Sequence, residues 1–164
     1  MTHVIGAMPT TIFSATEATQ GKGFGLGDRY SDHLGNEYVY CVAGGTITAA
    51  GYVCIIDDAA NAYSATMLST SNDAANLKVG LAPGAMVSTD RGWFQVFGVC
   101  SVRVLASAVA NTRLNTTATA GALDDDGTAG SFAVLGLTIT TTNGGSAATV
   151  VGHANYPTLS LIAL

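Results

Sequence analysis

The stretch that decides the fold of this chain is residues 93–105, which read WFQVFGVCSVRVL. Its even-numbered positions, from Phe94 to Val104, are all apolar or glycine, whereas its odd-numbered positions mix polar and apolar side chains. Alternate side chains of a strand share one face, so this period of two predicts a long β-strand that lies against a core. Arg91 and Gly92 are predicted to form the hairpin corner before it.

Shorter runs with the same character occur along the chain, roughly every 10 to 15 residues, and Gly, Asn and Asp separate them. One of them, residues 52–56, is continuously apolar, which predicts a strand covered on both faces. The other runs are residues 37–42, 77–81, 113–117, 132–139, 147–152 and 159–164. Helical turns are predicted only at residues 59–68 and 106–110. The pattern indicates an all-β fold, either an antiparallel β-barrel or a sandwich.

The first 35 residues differ from the rest, because six glycines interrupt them and no period of 2 or 3.6 is sustained. We therefore divide the chain into an extended N-terminal arm, residues 1–35, and a β-rich body, residues 36–164. Such a segment is either a flexible terminus or an arm that becomes ordered on a neighbouring subunit. Its aromatic residues favour the second interpretation. The predicted interface residues of the arm are Phe13, Phe24, Leu26, Arg29 and Tyr30.

The composition indicates a protein with extensive contacts to a partner. Only 10% of the residues are charged, against about 25% in an ordinary soluble domain. Yet 48% are hydrophobic, and the mean hydropathy is +0.38. Uncharged surface on this scale is usually covered by another molecule.

The charge pattern argues against nucleic-acid binding, because the net charge is −5 and the six Lys and Arg residues form no cluster. No window contains the roughly 18 uninterrupted apolar residues of a membrane helix. The first residues also lack a basic segment followed by an apolar one, so we expect no signal peptide and synthesis in the cytoplasm.

The residues that could carry chemistry form no recognisable active site. Ser31, Asp32 and His33 are adjacent in an irregular segment, and a catalytic triad needs three-dimensional geometry that adjacent residues do not provide. The acidic run 124–126 lacks the alternating ligand spacing of a calcium loop, so we interpret it as a solvated turn. We expect no enzymatic activity, no cofactor and no metal site.

The three cysteines, Cys41, Cys54 and Cys100, are predicted to be small core residues, because each lies in an apolar, strand-like run without CxxC spacing. A Cys41–Cys54 bridge between neighbouring strands is the alternative, which a reducing cytosol would oppose. Trp93 with Tyr38, Tyr40, Tyr52 and Tyr63 could form a sugar-stacking platform, although strand aromatics more often belong to a core or an interface.

Several segments resemble small structural proteins of tailed bacteriophages. They span about residues 24–157, and their composition, rather than a diagnostic signature, carries the resemblance. The segments are FGLGDRY at 24–30, GNEYVY at 35–40, AGGTI at 43–47, RGWFQVFG at 91–98, ANTRL at 110–114, TTATAG at 116–121 and LDD at 123–125.

The resemblance implies a capsid decoration, or cement, protein. Such a protein binds the major capsid protein on the outside of a head shell, often as a trimer at threefold positions, and braces the shell. The expected location is the capsid exterior of the virion. Two alternatives stay open: another virion component (a coat, head-fibre base or tail subunit), and a carbohydrate-binding β-sandwich adhesion module. The three cysteines depart from the family pattern.

Overall fold

The structure is a computed structural model that describes residues 8–127 and 131–163. Within these residues, ten strands form one hydrogen-bonded sheet, and the helical elements are a short helix and one 3₁₀ turn. The elements are α1 (Ala15–Thr19), β1 (Arg29–Ser31), β2 (Glu37–Ala43), β3 (Val53–Asp57), the 3₁₀ turn (Ala59–Asn61), β4 (Ser64–Met67), β5 (Lys78–Leu81), β6 (Arg91–Val104), β7 (Leu114–Thr116), β8 (Leu123–Asp124), β9 (Phe132–Ile139) and β10 (Ala148–Ala163).

The strand pairings close two barrel-like rings that share β6. The first ring runs β2–β4–β3–β5–β6 and returns to β2. The second runs β6–β10–β9–β7–β8 and returns to β6. The β2–β4 and β6–β8 pairings are parallel, and the other pairings in the two rings are antiparallel. The all-β prediction is therefore confirmed, with a sheet that is mixed rather than purely antiparallel.

Two hydrophobic cores lie on opposite faces of β3 and β5. Val53 and Ile55 point into the core of the second ring, whereas Cys54 and Ile56 point into the core of the first. All four side chains are buried. The prediction that residues 52–56 form a strand covered on both faces is confirmed for β3, because β3 is a wall between the two cores.

Strand β6 passes from one ring to the other at Gly98. Residues 91–97 pair with β2, and residues 97–104 pair with β10. Gly98 has φ of +96°, and a Cβ atom there would collide with the Asn36 side chain and approach its Cα to 3.0 Å. A residue with a side chain is therefore excluded at the crossing for two reasons, the left-handed backbone and the lack of space.

We expect Gly98→Ala to lower the free energy of unfolding by about 2–4 kcal/mol, because both the backbone strain and the Asn36 clash must be accommodated. The matched control is Gly144→Ala, since Gly144 is exposed and a Cβ there would meet no atom within 4 Å. Urea unfolding of both variants measures the difference. Equal stability of the two variants would contradict this account of the crossing.

Three local predictions are wrong. Arg91 and Gly92 lie within β6 rather than at a hairpin corner. Residues 64–67 were predicted to be helical, but they form strand β4. Their pairing with β2 and β3 outweighs the helix propensity of the surrounding sequence. Residues 106–110 contain turns but no helix.

Two further elements differ from the sequence pattern. The runs 147–152 and 159–164 belong to one long strand, β10, and Pro157 lies inside it, where the register with β9 shifts between Ala154 and Thr158. A proline is tolerated there because the irregularity removes the need for its N–H. Helix α1 was not predicted, although Ser14 and Glu17 form the capping box that begins it.

The core prediction for the cysteines is confirmed. Cys41, Cys54 and Cys100 are free and buried, so Cys41 and Cys54 form no disulfide. Burial raises the pKa of Cys41 and of Cys100 to about 12, and it also raises the pKa of Cys54. The thiols are therefore protonated and unreactive at neutral pH.

Candidate interaction surface

The N-terminal segment, residues 8–35, lies along β2 and β6 of its own chain. Phe13 and Arg91 exchange two backbone hydrogen bonds of 2.9 and 2.8 Å. Further along, the Gly27 N–H donates to the Tyr40 carbonyl at 2.8 Å, and β1 pairs with β2. The segment predicted to be an extended arm is thus attached to the body by backbone pairing at both ends.

An aromatic cluster lies beneath this segment. The Phe24 ring packs against Trp93 and Tyr40, with centroid distances of 5.0 and 5.5 Å, and Tyr30 lies 5.8 Å from Trp93 and 6.0 Å from Tyr38. Edge-on and tilted ring pairs at these distances are favourable. Trp93 is 1% exposed because the N-terminal segment covers the odd-numbered face of β6 at this end.

The five predicted interface residues therefore have intramolecular positions in the single chain. Phe13, Phe24, Leu26 and Tyr30 are half-buried, and Phe24 and Tyr30 belong to the aromatic cluster. Arg29 is exposed. The contact of these residues with a neighbouring subunit stays a prediction.

We expect Phe24→Ala to lower the free energy of unfolding by about 1–3 kcal/mol, because it removes the ring that covers Trp93 and leaves a cavity. Leu34→Ala is the control, since the Leu34 side chain is 74% exposed in the same segment. Thermal unfolding of both variants is the measurement. An unchanged melting temperature for Phe24→Ala would mean that the segment does not stabilise the body.

Of the adjacent residues Ser31, Asp32 and His33, the first ends strand β1 and the other two lead into the turn before β2. The Asp32 carboxylate accepts hydrogen bonds of 2.9 Å from the Leu34 and Asn36 backbone N–H groups, and it also accepts from the Asn36 amide and the Tyr38 hydroxyl. Partial burial raises the pKa of Asp32, but these hydrogen bonds outweigh burial and hold the pKa below its usual value. The hydrogen bonds that this carboxylate accepts stabilise the turn before β2.

This arrangement predicts a pH-dependent stability. The pKa of Asp32 is lower in the folded state than in the unfolded state, where it is about 4. The contribution of Asp32 to the free energy of unfolding is therefore complete above the unfolded-state pKa, and it is lost as the pH falls through the folded-state pKa. We expect Asp32→Asn to be less stable than wild type at neutral pH, with a difference that shrinks in acid. Urea unfolding across this pH range tests it. Asp126→Asn, which removes an exposed carboxylate, should show no such convergence.

The other end of β6 presents a different surface, which we call the outer face. It consists of the odd-numbered residues of β6 from Phe97 to Arg103 and the residues that lie opposite them on β10. Alternate residues from Gly136 to Thr140, in β9 and directly after it, complete the face. Their even-numbered neighbours on β6, such as Cys100 and Val102, point into the core. The outer face comprises Phe97, Val99, Ser101, Arg103, Gly136, Thr138, Thr140, Thr149, Val151, His153 and Asn155.

Apolar side chains stand in the middle of the outer face. Val99 lies opposite His153, and Val151 lies opposite Ser101, in the β6–β10 register. Val99 is 55% exposed and Val151 is 49% exposed. Cross-strand neighbours of this kind form a continuous strip of side chains, so the outer face is a valine- and threonine-rich surface open to solvent.

The outer face has almost no charge. Arg103 is its one arginine, and the guanidinium lies at the end of the face, 5.6 Å from the centre of the Tyr52 ring. No residue of the face is an aspartate or glutamate. A partly apolar sheet surface with so little charge fits an interface core, from which charged residues are depleted.

A second apolar region lies where β9 begins and β10 ends. Leu161 and Ile162 are 74% and 79% exposed, and they are consecutive residues of β10. Consecutive side chains of a strand point to opposite faces, so both faces of this strand end are uncovered. Leu135, which lies opposite Thr158, is 50% exposed.

Two members of the possible sugar-stacking platform are not accessible to a sugar. Trp93 and Tyr40 are 1% and 0% exposed, and their rings pack against each other at 5.0 Å. A sugar needs an exposed ring face on which to stack, and neither of these two rings offers one.

The acidic run forms local contacts. Asp125 accepts a hydrogen bond of 3.1 Å from the Val109 N–H, and Asp124 accepts one of 2.9 Å from the Asp125 N–H. Across residues 8–127 and 131–163, no group of three or more His, Cys, Asp or Glu side chains is arranged to hold a metal ion. No helix in the same residues is long and apolar enough to cross a membrane.

Comparison with known proteins adds no assignment, because no family model and no curated protein matches this chain. The functional argument therefore rests on the composition and on the geometry of the surfaces. Sequence analysis identified the mixed face of residues 93–105 but missed its extension across β9 and β10. The available signal was the spacing by two of Thr138 and Thr140, and of Thr149 and Val151.

Proposed function

We propose that this chain is a virion structural protein that decorates the head shell of a tailed bacteriophage by binding the major capsid protein from outside. One observation supports this most strongly: the outer face is exposed, partly apolar and nearly without charge. Water solvates such a surface poorly, and a protein partner that covers it gains the free energy of apolar burial.

The distribution of charge agrees with contact through this face. The carboxylates lie elsewhere, and several of them, such as Asp57 and Asp126, are exposed to water. The net charge of −5 would oppose close contact with packaged DNA and suits a position on the outside of a shell.

The proposed mechanism is thermodynamic. A protein that binds the assembled shell, and not its free subunits, stabilises the assembled state by mass action. The two closed rings suit this role, because closure leaves few free strand edges and gives a rigid body that holds neighbouring capsid subunits in place. No catalytic step is required.

The oligomer that we propose is a trimer. The apolar region where β9 begins and β10 ends is a further contact region. Leu135, Leu161 and Ile162 are the side chains there that gain most from being covered. Light scattering after size exclusion measures the solution mass. A trimer supports decoration, whereas megadalton particles would show that the chain builds a shell by itself.

The decisive experiment is co-sedimentation of the purified chain with heads of the phage that encodes it, prepared without this protein. We expect Val99→Lys and Val151→Lys each to weaken binding by about tenfold or more, because a lysine would be buried without a partner charge. Val87→Lys is the control, since Val87 is 63% exposed outside the outer face.

The outcomes distinguish whether the chain decorates the shell at all from whether it does so through the outer face. If the wild-type chain stays in the supernatant, the decoration function is wrong. If it co-sediments and the two outer-face variants bind as well as Val87→Lys, the chain decorates the shell through another surface. Melting temperatures of all three variants should stay close to that of wild type, because the substituted side chains are exposed.

A further inference from the structure

A cleft opens at the end of the first ring, next to the end of the outer face that carries Phe97 and Asn155. Its volume is about 130 Å³, close to that of an apolar protein cavity that holds one benzene molecule. Its apolar floor includes Val39, Ile56 and Val96, which belong to the core of the first ring. The cleft is lined by Arg29, Val39, Ile56, Tyr63, Lys78, Val79, Val96, Tyr156, Pro157 and Thr158.

Two tyrosines with strained backbones form walls of the cleft. Tyr63 has φ of +43° and Tyr156 has φ of +47°, a region that costs a bulky residue about 1–2 kcal/mol. They are the only aromatic residues with positive φ in the part of the chain that the structure describes. Two such residues at one cleft are informative, because backbone strain concentrates at binding sites.

Neighbouring residues hold both tyrosine rings in place. The Tyr63 ring occupies the space that a side chain at Gly27 would need. The Tyr156 ring stacks against Phe97 at 5.3 Å, and its hydroxyl donates a 2.7 Å hydrogen bond to the Glu37 carboxylate. The cleft is therefore preformed, and a ligand need not pay the entropy of ordering its walls.

The rim of the cleft carries two cations, only one of which is paired. Lys78 forms an ion pair with Asp58. Arg29 is exposed and forms no ion pair within residues 8–127 and 131–163. Its guanidinium is the group at the rim that is available to a carboxylate.

We infer that the cleft binds a small aromatic acid, with the ring among the valines and the carboxylate on Arg29. The volume fits a single ring, and the half-open shape lets a short chain reach the rim. Glu37 and Asp58 lie beside the rim and would repel a peptide with further acidic groups, so a compact free acid fits best.

Methyl NMR of the labelled full chain tests the inference, with 3-phenylpropionate as the probe and its uncharged amide, 3-phenylpropionamide, as the comparison. We expect saturable shifts in the methyl groups of Val39, Ile56 and Val96, which belong to the core of the first ring. The acid should bind about tenfold more tightly than the amide at low salt, because only the acid forms a charge-assisted contact with Arg29.

Three variants make the assignment specific. Arg29→Gln should remove the preference for the acid and leave amide binding unchanged, whereas Arg113→Gln, which changes an exposed arginine outside the cleft, should preserve the preference. Tyr63→Gly should weaken both compounds, because it removes one wall. The methyl spectrum of each variant reports whether it remains folded.

Three results would overturn the inference, and wild-type protein alone is enough to obtain them. The first is the absence of methyl shifts up to the solubility limit of the acid. The second is equal affinity for the acid and the amide, which would remove the role of Arg29. The third is a set of shifts centred on residues outside the cleft.

Discussion

The whole architecture depends on one strand that serves two rings. Strand β6 pairs with β2 in its first half and with β10 in its second, and its even-numbered side chains enter first one core and then the other. Gly98 permits the crossing, because its left-handed backbone and missing side chain allow Asn36 to approach. Strand β3 is the wall between the two cores, and it is apolar on both faces because each face contributes to one core.

The same crossing divides the odd-numbered face of β6 into a part that the N-terminal segment covers and a part that is open to solvent. Before Gly98, the N-terminal segment buries Trp93 under Phe24 and Tyr30. After Gly98, Val99 and its neighbours on β10 remain exposed. The chain thus covers Trp93 and Tyr40 itself and leaves Val99 and Val151 uncovered, and this difference is the basis of the proposed contact with a partner.

Much of the strand pattern was predictable from local sequence, and the exceptions have physical causes. The alternation in β6 and the continuous apolarity of β3 are direct consequences of burial on one or two faces. Residues 64–67 became a strand because of partners distant in sequence, and β10 continues through Pro157 because a bulge accommodates it. The capping box of α1 was readable, but the helix is only five residues long and buries no side chain.

The sequence by itself determined the all-β class, the buried thiols and the shortage of charge, because each depends on residue type and on a period of two. Only the tertiary structure decided which exposed residues form one surface and which line a cleft. Val99 and Val151 are 52 positions apart, and Arg29 and Tyr156 are still further apart. Their proximity arises from strand pairing between distant segments, and no local pattern encodes that register.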